Sequence, residues 1–133
     1  MKVDKESATP VQEVRKPAHA HAYHAVTSVT LEHSHVIELF VYPANGDAYD
    51  GHTHNYQGHT QMAAGHFHRL IGTTGPAIAL PDGSHVHEMY DMVKDEPFSF
   101  QGGYYSTEML IQRHVHAFTG PTGKGIGYAP AGW

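Results

Sequence analysis

With 133 residues the chain has room for one domain with a modest core, and it contains no cysteine, which excludes disulfides, thiolate metal sites and a cysteine nucleophile. Its formal charge is −5 with histidines neutral, and its 8 Lys and Arg are scattered, with no cluster beyond the adjacent Arg15 and Lys16, which excludes the basic stripe that nucleic acid requires. The opening Met1-Lys2-Val3-Asp4-Lys5-Glu6-Ser7 lacks the apolar centre of a signal peptide, and no apolar run approaches the roughly 20 residues of a membrane span. No membrane or nucleic-acid partner is therefore expected, and the expected location is cytoplasmic, or surface-associated after release.

In chain order, residues 1–18 precede the first histidine and read as an N-terminal extension. Polar termini of this kind are commonly disordered, but Val11 to Arg15 could instead form an arm that adds a strand to another subunit. Residues 19–123 form the body of the chain. Alternation of apolar and polar residues in Ala25 to Leu31 and in His35 to Tyr42 predicts strands. Breakers such as Pro43-Ala44-Asn45-Gly46, Gly72 to Pro76, Pro81-Asp82-Gly83 and Gly120 to Gly123 leave only short windows between them. Met89 to Asp95 is the one segment expected to make a helical turn. Residues 124–133 form a glycine-rich tail, either loose or docked through Tyr128 and Trp133.

The body is punctuated by six His-x-His pairs: His19/His21, His33/His35, His52/His54, His66/His68, His85/His87 and His114/His116. They hold 12 of the 14 histidines, whereas random placement would yield roughly one or two such pairs. The pairs begin 14, 19, 14, 19 and 29 residues apart. The alternation of 14 and 19 defines a unit of 33, the length of one strand pair with a shorter and a longer connection. Helical repeats of the same length are excluded by the density of Gly, Thr, Tyr and Val. Phe98-Ser99-Phe100 stands where a further pair is expected and reads as a unit whose imidazoles have become packing rings. The expected fold is all-β, with antiparallel hairpin repeats forming a small sandwich, barrel or solenoid-like unit.

Residues i and i+2 of a strand share a face, so each His-x-His presents two imidazoles side by side. A lone strand histidine usually bonds a carbonyl or faces water. Six pairs on one face would repel when protonated and leave polar atoms unsatisfied when buried, and a shared ion resolves both problems. Nitrogen ligands point to Zn, Ni, Cu, Co or Fe rather than Ca or Mg. Two pairs from neighbouring strands would make a four-nitrogen site, and three pairs, one from each chain of a trimer, a six-nitrogen site; either is a closed, structural shell.

Units such as His66 to Glu88, with Gly72-Thr73-Thr74-Gly75-Pro76 and Pro81-Asp82-Gly83 between the pairs, resemble the YmaF family of small bacterial proteins over about residues 50 to 123. That resemblance implies a repeat architecture and an origin among spore formers, but no activity. The Gly-His-x-His-x-x-x-Gly-x-Thr texture at Gly51 to Thr60 is also similar to the needle of phage long tail fibres, which implies trimeric strands around a column of iron ions.

A catalytic reading rests on Gly46, His52, His54 and Gly75-x5-Pro81-x-Gly83 before His85, which partly match cupin metalloenzymes. His59 stands where the cupin glutamate belongs, and His85 and His87 are out of step by one. Glu38, Glu88 and Asp91 lie near pairs, but no nucleophile triad or phosphate loop appears. The sequence therefore leads to a non-catalytic, metal-binding structural protein whose partner is itself, as a homo-oligomer or filament. A cupin-like enzyme and a soluble metal buffer or carrier are the competing readings.

Overall fold

A computed structural model describes residues 18–101 and 104–126 of the chain. The arm at Val11 to Arg15 and the tail aromatics Tyr128 and Trp133 lie outside the described residues. Among the described residues there is no helix, and several small antiparallel sheets form without closing into a barrel.

Three hairpins build the body. In the first, β1 (Ala18–Val26) pairs with β2 (Val36–Phe40), with Tyr23 opposite Leu39 and Ala25 opposite Ile37. The same register continues beyond the strands through Thr27 N–H to His35 O at 2.9 Å and Val41 N–H to His21 O at 2.9 Å. The second joins β4 (Asn55–His59) to β5 (Arg69–Thr73), extended by Thr60 N–H to His68 O and Thr74 N–H to His54 O, both 2.8 Å. The third joins β7 (His85–Met92) to β10 (Ala117–Pro121), extended by Val93 N–H to His116 O at 3.0 Å and Thr122 N–H to His87 O at 2.8 Å.

Short strands complete the edges. β3 (Ala44–Asn45) lies on β1, and β6 (Ala77–Ala79) lies on β7. Gly125–Ile126, part of the expected tail, forms β11 opposite His21 and Ala20, so the β domain reaches at least Ile126.

Tight turns set the first two registers. Thr30 bridges His33 across Leu31 (φ 51°) and Glu32 (φ 67°), and Ala63 bridges His66 across Ala64 (φ 52°) and Gly65 (φ 83°). Two consecutive positive φ values are the signature of a type I′ turn, whose twist matches that of the strands it joins. The third hairpin has no such turn. An inserted hairpin, β8 (Phe98–Gln101) with β9 (Tyr104–Thr107), sits between its arms.

This placement corrects the reading of Phe98-Ser99-Phe100 as a repeat unit with altered histidines. The third hairpin is longer: His66 and His114 are 48 residues apart, where His33 and His66 are 33 apart. Phe98 stacks on Phe67 at 6.1 Å and lies 4.8 Å from the Arg69 guanidinium, outside the histidine groups. The helical turn expected over Met89 to Asp95 is also corrected. Met89 is an inward residue of β7, and Val93 continues the same ladder. Pairing of Met89 to Met92 with β10 overrides the local preference.

Backbone hydrogen bonds link the hairpins in a ring. Towards one end Tyr42 donates to Asn55 O (2.7 Å), Gly75 to Glu88 O (2.9 Å) and Gly123 to Ala22 O (2.8 Å), joining first to second, second to third and third to first. Towards the other end Ser28 donates to Ala117 O, Gln61 to Val36 O and Lys94 to Arg69 O, each at 2.8 Å. Further pairing reinforces the ring: β6 on β7 and β11 on β1 at the first end, and Phe67 with Phe98 at the other.

The inward side chains repeat with the same period. Tyr23, Tyr56 and Met89 make one buried layer, and Ile37, Leu70 and Phe118 make the next. These six apolar side chains, joined by Val41 and Val93, form the core. Burial of such side chains contributes about 1.5–3 kcal/mol each relative to exposure.

Candidate metal centres

Because each hairpin reverses direction, the histidine pair on its outgoing arm and the pair on its return arm lie at opposite ends. The alternating pairs are thereby sorted into two groups of six. Site 1 takes His19, His21, His52, His54, His85 and His87 from the outgoing arms. Site 2 takes His33, His35, His66, His68, His114 and His116 from the return arms. Within each group one ring nitrogen from every residue lies within 4.8 Å of all the others. All twelve histidines singled out by the sequence are brought together, three pairs to a site, by one chain and not by a trimer.

Local hydrogen bonds aim the rings. Nδ1 of His21 donates to Gly123 O (2.8 Å), of His54 to Tyr42 O (2.8 Å) and of His87 to Gly75 O (2.9 Å). At site 2, His35 donates to Gln61 O (3.0 Å), His68 to Lys94 O (2.8 Å) and His116 to Ser28 O (2.9 Å). The outer residues His33, His66 and His114 each use the carbonyl two positions back, on Leu31, Ala64 and Gln112. His52 donates instead to the side chain of Asp50, Nδ1 to Oδ1 at 2.6 Å. A proton committed at Nδ1 leaves Nε2 as a bare lone pair.

Those lone pairs converge. At site 1, Nε2 of His19 is 3.0 Å from Nε2 of His52 and of His85, and His52 and His54 are 3.1 Å apart. At site 2, Nε2 of His33 is 3.1 Å from that of His114 and 3.2 Å from that of His66. Neighbouring ring planes cross steeply, at 87° for His19 with His52 and 88° for His33 with His66, so edges and not faces point inward. Nitrogens that both give their proton elsewhere cannot hydrogen-bond to each other. Nε2 of His87 and of His116 are buried with no hydrogen-bond partner at all.

Burial favours the neutral form of eight of the rings. It pushes His21 and His68 down to about 3, and His35, His54 and His85 to about 4; neighbouring imidazoles add to the shift, while the carbonyl acceptors of His21, His35, His54 and His68 oppose it. His66, His87 and His116 are lowered for the same first reason. Neutral imidazole with a free Nε2 is the ligating form.

The spacing fits a six-coordinate ion. Octahedral vertices are separated by √2 times the central distance, so nitrogens 3.0–3.2 Å apart surround a point about 2.2 Å from each, close to metal–imidazole bond lengths. Both sites could therefore hold a metal ion, with six imidazoles and no open position.

The sequence reading missed the residues that hold the ligands. Thr27, Thr60, Thr74 and Thr122 are buried, and their hydroxyls accept the backbone N–H of His35 (3.0 Å), His68 (3.1 Å), His54 (3.1 Å) and His87 (3.0 Å). Each hydroxyl then donates to the carbonyl of the next residue, and that carbonyl receives Nδ1 of a histidine from another hairpin. Thr27 and Ser28 thus tie His35 to His116, and Thr60 and Gln61 tie His68 to His35. Val93 and Val41 occupy the corresponding places in the remaining arms. Phase was the available signal, since Thr27, Thr60 and Val93 recur at the 33-residue period of the histidines.

The two histidines that belong to no His-x-His pair stay outside both sites. His24 is exposed beside Glu38 at 4.0 Å, and His59 packs on Phe67 and donates Nδ1 to Thr60 O. Glu38 accepts from Gln61, and Asp91 from the Tyr56 hydroxyl at 3.4 Å. The partial cupin match at His52, His54 and His85 falls inside site 1, where His19 and His21 help to complete a six-nitrogen shell.

The YmaF family, described as spore germination protein GerY/YamF, matches residues 17–96. This chain belongs to the YmaF family. One member, the uncharacterized protein YmaF of Bacillus subtilis (strain 168), is 42% identical over 125 residues, covering 90% of this chain and 91% of that protein. The likeness thus extends beyond residues 50 to 123. No solved structure matches. Among the described residues no helix is long and apolar enough to cross a membrane.

Proposed function

We propose that this protein is a non-catalytic structural protein that binds two transition-metal ions as internal cross-links and serves a spore-associated role. The observation that carries the reading is the convergence of six imidazole nitrogens at each end of the core, with Nε2 of His87 and of His116 left without a hydrogen-bond partner. Six neutral nitrogens favour Fe, Co or Ni over Zn, which takes four ligands in structural sites, and over Cu(II), which prefers tetragonal geometry. Each ion would tie three hairpins that are otherwise joined at that end by a few backbone hydrogen bonds. With metal at about a thousandfold above its dissociation constant, one site adds about 4 kcal/mol of stability.

A closed shell supports the non-catalytic part, because a catalytic ion needs a free position. The spore-associated part rests on the family description. Self-association into an oligomer or filament is the finer part of the proposal, and it rests on β6 and β11 standing at the ends of their sheets among the described strands.

Elemental analysis of the purified chain should find two metal ions per molecule, and chelation should lower its melting temperature. Less than one ion per chain would sink the metal reading. Light scattering showing only monomer at high concentration would remove self-association and leave the metal sites standing.

A further inference from the structure

Among the described contacts, the two sites differ at His52. At site 2 the three outer histidines, His33, His66 and His114, all give Nδ1–H to a neutral backbone carbonyl two residues back. At site 1 the outer His52 gives it to a carboxylate, also two residues back in sequence. Of the ten ligands with a described Nδ1 hydrogen bond, nine have a backbone carbonyl as acceptor, and His52, held by Asp50, is the exception.

Asp50 is fixed in this role. Its Oδ1 also accepts the backbone N–H of His52 at 3.1 Å, and its Oδ2 accepts that of Asp47 at 3.2 Å. The loop presses on the ring from the other side, because any side chain at Gly46 would overlap the His52 imidazole. The Asp50 side chain is only 19% exposed, so water screens it little.

Six neutral imidazoles bring no charge to an ion held between them. A carboxylate one ring away does, and it also draws the Nδ1 proton and makes Nε2 a stronger donor. Both effects favour the more highly charged state of a metal. We propose that Asp50 differentiates the two centres, making site 1 the tighter site and, for a redox-active ion, the one with the lower reduction potential, while site 2 releases its ion first and is reduced first. This rests on the metal-binding reading above.

The test uses the full chain, demetallated and titrated anaerobically with ferrous iron alone, followed by spectroelectrochemical titration. The wild type should take two irons with separate potentials. In Asp50→Asn, which keeps an acceptor without the charge, one iron should bind 10- to 100-fold more weakly, and the lower potential should rise towards the higher. Asp50→Glu should restore much of the separation, which a purely structural role for the loop would not require. His66→Ala, which removes a ligand of site 2 alone, should abolish the higher-potential signal and leave the lower one for comparison if Asp50→Asn folds poorly.

Two irons with equal potentials in the wild type, or potentials and affinities unchanged in Asp50→Asn, would overturn the proposal with the metal reading intact. A wild-type chain that takes up no iron would instead bring down that reading together with this one.

Discussion

Acidification of the metal-free chain gives the sharpest test of the histidine core. His21, His35, His54, His68 and His85 are held at about 4 or lower in the folded state, first by burial, against 6.5 when unfolded. The unfolded chain therefore binds more protons than the folded one at every pH between these values, and stability falls as pH falls through that window. Between about pH 7 and about pH 5, each of these residues costs on the order of 2 kcal/mol, because the unfolded side chain becomes protonated and the folded one does not. Together the five reach the order of the whole stability of a typical domain, about 5–15 kcal/mol. The chelated protein, followed by circular dichroism with thermal melts at successive pH values, should be folded near pH 7.5 and unfolded before pH 4.5. Retention of the same melting temperature at pH 4 would refute the claim that these rings are buried and neutral. Saturating metal should move the acid midpoint downward, since protons must then displace an ion.

Other perturbations probe the frame around the ligands. Thr60→Val keeps the shape, as Val93 in the corresponding place shows, but it removes the acceptor of the His68 N–H and the donor to Gln61 O. It should cost about 1–3 kcal/mol in denaturant melts and weaken metal binding at site 2 alone. Gly46→Ala places a methyl group into the His52 ring, and calorimetric titration should show the weakened ion at site 1, with about 1–3 kcal/mol lost in stability. Leu31 and Glu32 occupy left-handed positions of a type I′ turn, so Leu31→Asn with Glu32→Gly should raise stability by about 1 kcal/mol, read as a higher urea midpoint with unchanged slope. Met89→Ala should lose about 2–5 kcal/mol, because Met89 is fully buried in a core layer with Tyr23 and Tyr56.

Sequence alone determined the strand content and the identity of all twelve converging histidines. Both follow from local rules: i and i+2 share a face, and a pair repeated at a fixed period implies a repeated environment. It also carried, unread, the phase of Thr27, Thr60 and Val93 relative to the histidines. Which pair meets which is not a local property. Antiparallel reversal sends His19 and His33 to opposite ends and brings His19 to His52 and His85 instead, contacts between residues 33 and 66 positions apart. Choosing among four nitrogens, six nitrogens from a trimer and six from one chain required the closure of three hairpins by bonds such as Tyr42 to Asn55 and Gly123 to Ala22.

The inserted hairpin at Phe98 interrupted the period in sequence but not in space, because a longer third hairpin still returns His114 and His116 to the same end. Asp50 was an ordinary loop acid until folding put its carboxylate on a ligand nitrogen. The tertiary structure decided these points because metal geometry depends on distances across the core, which strand periodicity does not contain.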